Sequence, residues 1–340
     1  MTRTIENRRR RMSAWAELHV HLEGTLEPEL IFALADRNGV ALPCGNVEEL
    51  RARSDFADLQ EFLDLYYENM AVLQHASDFA DLTDAYLARA ARAGVRRAEV
   101  FFDLQAHTGR GVSSREALEG VSEALSRSSE RFGISSGLIV TMLRHLSAES
   151  AMEAYEQAVA SGVPLLGIGL CSTEVGNPAS RFRAVFDRAK ADGLRTVAHA
   201  GEEGDASYVR DVLDTLRVER VDHGVRAVED ATLVARLVAE EVPLTVCPLS
   251  NLRLKGVEDL TDHPLAELLR AGVMVTVNSD DPAYFGGYLD DNVRAVRVAL
   301  GLSDDEIRTL ALNSIAASFA SDAEKAELAA TWDTAPVPSL

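Results

Sequence analysis

The stretch Glu17-Leu18-His19-Val20-His21-Leu22-Glu23-Gly24 is a short, largely apolar run that carries two histidines one residue apart. Side chains alternate along an extended strand, so His19 and His21 point to the same side. Two imidazoles presented together at a strand end make half of a zinc site, and zinc needs one or two more nitrogen or oxygen ligands. The remaining ligands must come from other strands that end in the same way.

Seven further apolar runs of strand length follow Ala16–His21: Ala98–Phe102, Gly137–Leu143, Leu165–Leu170, Thr196–Ala200, Arg220–Asp222, Leu244–Cys247 and Val273–Asn278. Between them lie segments of helical period, roughly Pro28–Asn38, Phe56–Leu73, Phe79–Gly94, Ser114–Phe132, Ala148–Ser161, Arg181–Asp192, Ala206–Leu216, Asp230–Glu240 and Pro264–Ala271. This alternation predicts parallel strands joined by crossover helices. Eight such units predict an α/β fold, the (β/α)8 TIM barrel.

The interval after the first strand holds extra helices. Across Asp55–Leu73, Phe56, Leu59, Phe62, Leu63 and Tyr66 recur at helical spacing, which suits either a lid over the C-terminal face of the barrel or packing on its wall. At the C-terminus, Asp290–Leu300, Ser303–Phe319 and Ala323–Trp332 read as further helices. No repeat or low-complexity linker divides the chain, so residues 13–340 are expected to form a single domain behind a flexible tail of residues 1–12. The tail's Arg8-Arg9-Arg10-Arg11 is followed by no apolar stretch of signal length.

Composition narrows the function classes. The 340 residues hold 34 Lys+Arg against 54 Asp+Glu, a formal net charge of -20 that repels phosphate backbones and anionic membrane surfaces. Nucleic acid is thus not an expected partner, and no apolar run of about 18 residues suggests a membrane span. Cys44, Cys171 and Cys247 are odd in number and widely spaced, which fits a reducing compartment, the cytoplasm by default. The oligomeric state stays open.

Barrel enzymes place their chemistry where strands end. The fifth strand ends Thr196-Val197-Ala198-His199-Ala200-Gly201-Glu202, which offers a third imidazole and a carboxylate just beyond it. Arg220-Val221-Asp222-His223-Gly224 ends the sixth, so His223 is either a fourth ligand or a base beside the metal. The eighth ends in Asn278-Ser279-Asp280-Asp281-Pro282, adjacent carboxylates whose side chains must diverge, so that one takes the metal while the other faces substrate. The fourth strand ends Ile168-Gly169-Leu170-Cys171-Ser172, without the carboxylate or lysine that bridges two metals, and Lys190, Lys255 and Lys325 lie elsewhere. A mononuclear site follows, suited to zinc, with iron or cobalt able to use the same ligands. Of the other histidines, His263 precedes a helix start and reads as structural, while His107 and His145 follow the second and third strands and would reach the active face.

Taken together, His19-Val20-His21-Leu22-Glu23-Gly24, His199-Ala200-Gly201-Glu202, Asp222-His223-Gly224 and Ser279-Asp280-Asp281-Pro282 resemble the motifs of the adenosine/adenine deaminases of the amidohydrolase superfamily. The resemblance runs in order through almost the whole chain. It implies that His19, His21, His199 and Asp280 bind zinc, that Glu202 is the proton donor and His223 the water-orienting base, and that Asp281, Gly169 and Ser172 contact the purine. The chemistry agrees: zinc makes water nucleophilic near neutral pH, and a protonated Glu202 near N1 would stabilise the charge produced by attack at C6.

Ile168-Gly169-Leu170-Cys171-Ser172-Thr173-Glu174, Cys247-Pro248-Leu249-Ser250-Asn251 and Asp281-Pro282-Ala283-Tyr284 are more similar to the microbial adenine deaminase branch. Adenosine deaminases usually have a glycine near Ser172, where serine would crowd a nucleoside and bond a free base; an aspartate is expected where this chain has Cys171. The resemblance thus implies zinc-dependent deamination of adenine to hypoxanthine and ammonia in purine salvage. The alternatives are an aminohydrolase for adenosine, an N6-substituted adenine or another adenine-bearing metabolite, and, in a different class, a silent barrel that binds a purine or a metal. Glu23, beyond the metal pair, is placed to exclude or contact whatever the purine carries.

Overall fold

In the computed structural model, which describes residues 13–53, 56 and 59–334, eight parallel strands follow one another in chain order. They are β1 (Trp15–Glu17), β2 (Val95–Phe102), β3 (Ser135–Leu143), β4 (Gly167–Cys171), β5 (Arg195–Ala200), β6 (Arg220–His223), β7 (Leu244–Val246) and β8 (Val275–Val277). The sheet closes just past the ends of β1 and β8, where the His21 amide donates to the Asp280 carbonyl at 3.0 Å and the Asp280 amide donates to the His19 carbonyl at 3.1 Å. Helices lie between successive strands, giving the expected (β/α)8 TIM barrel. The tail expected at residues 1–12 lies outside the described residues.

The first strand is shorter than expected, ending at Glu17 rather than His21. Its ladder is interrupted at Leu18, whose amide donates to Asn278 Oδ1 at 2.8 Å and whose carbonyl accepts from Arg220 Nη2 at 3.1 Å. Pairing resumes as single bridges from Val20 to Asp280 and from His21 to Phe101. The helix Pro28–Asn38 has the bounds expected of it: proline suits the first turn, and Gly39 stops the helix in the left-handed region at φ 66°. The segment Ser114–Phe132, expected as one helix, is two, Ser114–Ser126 and Ser128–Phe132.

Residues two apart along a strand share a face, so the barrel interior is layered. At the base Glu99 accepts from Arg220 Nη1 at 2.7 Å, from Arg97 Nη2 at 3.0 Å and from the Phe319 amide at 2.6 Å, with Glu99 and Arg220 fully buried. Above it Phe101, Ile139 and Val197 form an apolar layer. Two residues further along β2 and β5 come Asp103 and His199, at the C-terminal face. The main core fills the space between the strands and the outer helices.

The segment after β1 runs over that face. Phe62, Leu63, Leu65, Tyr66 and Met70, from the helix Leu59–Asn69 and the turn after it, cluster with Phe56, Tyr284 and Phe285, apart from the main core. Rings of Phe62 and Phe285 lie 4.7 Å apart, and Asn69 Nδ2 donates to the Tyr284 hydroxyl at 3.0 Å. Of the two readings of this segment, the one over the C-terminal face matches.

Removing one partner of a buried ion pair strands the other charge. Glu99→Ala should therefore cost about 3–5 kcal/mol in denaturant unfolding; a loss below about 1 kcal/mol would show that the base layer holds without its carboxylate.

Candidate active site

His19 and His21 extend from β1, His199 from β5 and Asp280 follows β8. Each offers one donor atom, and the four atoms lie within 4.8 Å of one another, all in buried residues. His19 Nε2 faces Asp280 Oδ1 at 3.1 Å, and His21 Nε2 lies 3.1 Å from His199 Nε2 and 3.7 Å from Asp280 Oδ1. His19 Nε2 is buried with no hydrogen-bond partner. Three imidazole nitrogens and a carboxylate oxygen converging on one point, one of them orphaned, fit a divalent cation. Two further groups, His21 with Asp103 and Cys171, and His223 with Cys247 and Asp280, reuse members of this cluster and form no separate centre.

The opposite ring nitrogens are backed by a second set of side chains. His19 Nδ1 lies 3.0 Å from Thr245 Oγ1, which itself donates to Asp222 Oδ1 at 2.8 Å. His199 Nδ1 faces Asp222 Oδ2 at 3.3 Å, and His21 Nδ1 faces Asp103 Oδ1 at 3.6 Å. Carboxylates behind ligand imidazoles fix ring orientation and raise donor strength. Asp103 is held in turn by the hydroxyl of Thr141 and the thiol of Cys171, 3.4 Å away.

Glu202, His223 and Asp281 surround the cluster. His223 Nε2 lies 3.5 Å from Glu202 Oε2 and 3.9 Å from Asp280 Oδ2. Burial, then the charges of Asp280 and Glu174, raise the Glu202 pKa well above the carboxylate range. Burial, then the neighbouring His19, push that of His223 well down, so the pair favours a protonated acid beside a neutral imidazole. The adjacent carboxylates part company: burial and then Asp280 push Asp281 well up, whereas Asp280, against the pull of burial, is held well down by His19. Environments that drive like groups apart mark acid and base assignments.

Three non-glycine residues at strand ends, Ser172, His223 and Asp280, have φ of 75°, 61° and 63°. Such left-handed conformations cost about 1–3 kcal/mol each and persist where surrounding structure enforces them. Gly24 meets the same crowding from the other side, since a Cβ there would sit 2.0 Å from Asp281 Oδ1 and 2.5 Å from its Cα.

The cavity above the cluster measures about 50 Å³ and is lined by His21, Asp103, Cys171, Ser172, His199, Glu202, His223, Asp280 and Asp281 under a roof of Phe62, Leu63, Tyr66, Tyr67 and Phe285. Gly169 is not among the lining residues. Alternation along β4 puts it one layer down, where a Cβ would meet Thr141, Val197 and Ile139, so a contact from Gly169 to a purine is not what the fold provides; Cys171 holds the lining position instead. Ser172 is at the cavity, with its Oγ 2.7 Å from His145 Nδ1. His107 turns away to Glu23 Oε1 at 2.8 Å, and Glu23 also accepts from the Asp103 amide at 2.9 Å, so this buried carboxylate braces the loop after β2. His263 Nε2 lies 3.1 Å from Asn251 Oδ1, away from the site.

The adenosine deaminase family model matches residues 15–335. The chain belongs to the adenosine deaminase family. It is 59% identical over 310 residues to an adenine deaminase of Streptomyces coelicolor, covering 91% of each chain, and 54% identical over 312 residues to one of Rhodospirillum rubrum, covering 92% of this chain and 93% of the other. The crystal structure of an adenine deaminase from Arthrobacter aurescens superposes with a TM-score of 0.93 at 58% identity, covering 94% of this chain and 99% of that one. An amidohydrolase from Burkholderia ambifaria solved with bound zinc superposes at 0.85 with 26% identity, covering 94% of this chain and 89% of the other. Deaminases of this kind are metal-dependent, and the chain is a metal-dependent deaminase. Among the described residues no helix is long and apolar enough to cross a membrane.

Asp103, Thr245 and the contacts of Asp222 escape a reading by motif, because none is itself a metal donor in the four-atom cluster. Counting two forward from Phe101 along β2 would have found Asp103, and Asp222 stands directly before His223 at the end of β6. Replacing such a carboxylate typically costs 10- to 100-fold in metal affinity, and Asp222→Asn, which touches His199 and Thr245, should weaken binding by about that factor in chelator competition. Unchanged affinity would remove Asp222 from the support of the site.

Proposed function

We propose that this deaminase converts adenine and water to hypoxanthine and ammonia, with one zinc ion held by His19, His21, His199 and Asp280. The observation that carries the reading is the pairing of Glu202 and His223, 3.5 Å apart, beside the four-donor cluster. A binding protein has no use for an acid and a base at that point. Relatives named adenine deaminase at 51–59% identity support adenine as substrate, and the zinc-bound amidohydrolase supports zinc.

When bound, zinc supplies the Lewis acidity that brings the pKa of water to about 7. His223, kept neutral by burial, takes the proton of the water that attacks C6. Glu202, kept protonated, delivers its proton to ring N1, where the attack places negative charge. The proton on His223 passes to the amino group, which leaves as ammonia, and the hydroxyl proton at C6 returns to Glu202. Asp281, held neutral by burial beside Asp280, donates a hydrogen bond to an acceptor nitrogen of the ring. The aromatic roof of Phe62, Tyr66 and Phe285 suits a flat heterocycle. Three unpaired cysteines fit a cytoplasmic enzyme of purine salvage.

Glu202→Gln should keep its metal while kcat on adenine falls by about 10²–10⁴-fold, and the unaltered enzyme should show the higher kcat/KM on adenine when adenine and adenosine are compared. Retained turnover in the variant would remove Glu202 from the mechanism, and a preference for adenosine would overturn the base-specific assignment.

A further inference from the structure

Four consecutive backbone amides, those of Gly201, Glu202, Glu203 and Gly204, converge on one side chain. Gly201 donates to Glu174 Oε1 at 2.7 Å, while Glu202, Glu203 and Gly204 donate to Glu174 Oε2 at 3.2, 3.0 and 2.8 Å. Glu174 lies in the loop after β4 and is 1% exposed. The turn it fills is one that glycine makes possible: Gly201 has φ +68°, and a Cβ there would come within 2.6 Å of Val209 Cγ2. Successive amides in such a turn form a concave, electropositive nest, and hydrogen bonds from amides to a carboxylate are roughly twice as strong as neutral ones.

We propose that Glu174 is a positioning residue for the deamination: its one buried carboxylate gathers the amides of residues 201–204 and so sets the direction in which the Glu202 side chain leaves the backbone. The clamp is closed from both sides. The Glu174 amide donates back to Glu203 Oε2 at 3.1 Å, and the Glu174 carbonyl accepts from the Asn177 amide at 3.1 Å. Buried Arg144 then ties the Asn177 carbonyl, at 2.9 Å from Nε and 2.7 Å from Nη2, to the His199 carbonyl, at 2.9 Å from Nη1. The loop after β4 therefore holds the turn after β5 at its metal-ligand end through Arg144 and at its acid end through Glu174. No other side chain accepts from these four amides among the described residues. The same carboxylate adds, after burial and Asp280, to the forces that keep Glu202 protonated.

The inference rests on Glu202 as the proton donor, so its test is run beside Glu202→Gln. Glu174→Gln presents an amide NH2 to a nest of donors and should release the turn. With the metal-loaded protein, kcat on adenine should fall by about 10- to 100-fold, the penalty of a misplaced catalytic group. KM should move by less than about 3-fold, because ground-state binding is untouched. Metal content should stay at the unaltered level, and hydrogen exchange should quicken at residues 201–204 without spreading through the barrel. Glu174→Asp, which keeps the charge on a shorter arm, should show the same split in weaker form and serves if the first variant fails to fold. Wild-type kcat in either folded variant overturns the inference, as does a loss of kcat matched by a loss of metal or by exchange that rises throughout the chain. If Glu202→Gln keeps its activity, the acid assignment fails instead, whatever Glu174 does.

Discussion

The site depends on two backbone hydrogen bonds that close the barrel, from His21 to Asp280 and from Asp280 to His19. They join the first strand's extension to the residues after the last, so closing the sheet also brings together the candidate metal donors His19, His21 and Asp280. A chain that fails to close has His19 and His21 on one edge and Asp280 on the other, some 260 residues apart in sequence. The strain at Asp280, whose φ is 63°, is stored at this seam. Gly24 lets the chain approach Asp281 there without a clash.

Burying so many acids at one end of the barrel is costly unless each is neutralised or paired. The molecule uses both remedies. Asp280, Asp222 and Asp103 face imidazoles, and Glu174 faces four amides and lies near Arg144. Glu202, beside His223 at 3.5 Å, and Asp281 are held toward the protonated form by burial and then by the charge of Asp280, which is the form their proposed roles as proton donor and ring-nitrogen donor require. At the base, Glu99 and Arg220 perform the same cancellation with no chemistry attached. The apolar layer of Phe101, Ile139 and Val197 separates the two polar layers.

Most of the barrel was legible because each strand is a short apolar run bounded by helical period, and its end carries a residue type that packing alone does not call for. His19, His21, His199 and Asp280 could be read as potential ligands for that reason. What escaped were contacts made by ordinary residues. Nothing in Thr173-Glu174-Val175 announces that Glu174 will meet a turn almost thirty residues later, and Leu18 breaks its ladder only because Asn278 and Arg220 reach it from other strands. Gly169 was misread for a simpler reason: it belongs to the right strand and the right face but lies one layer too deep, which a count of two from Cys171 reveals. The segment after the first strand showed its apolar stripe in sequence, but only the fold shows that the stripe roofs the cavity.

The central claim is that one divalent cation sits among three imidazoles and a carboxylate at the seam. Buried Cys171 and Cys247 lie close enough to offer sulfur instead. X-ray absorption spectroscopy of the zinc-loaded protein, with metal counted per chain, tests the claim most directly. The account predicts one zinc per chain and a shell of nitrogen and oxygen at about 2.0–2.2 Å. A sulfur scatterer near about 2.3 Å, or a second zinc per chain, would contradict it.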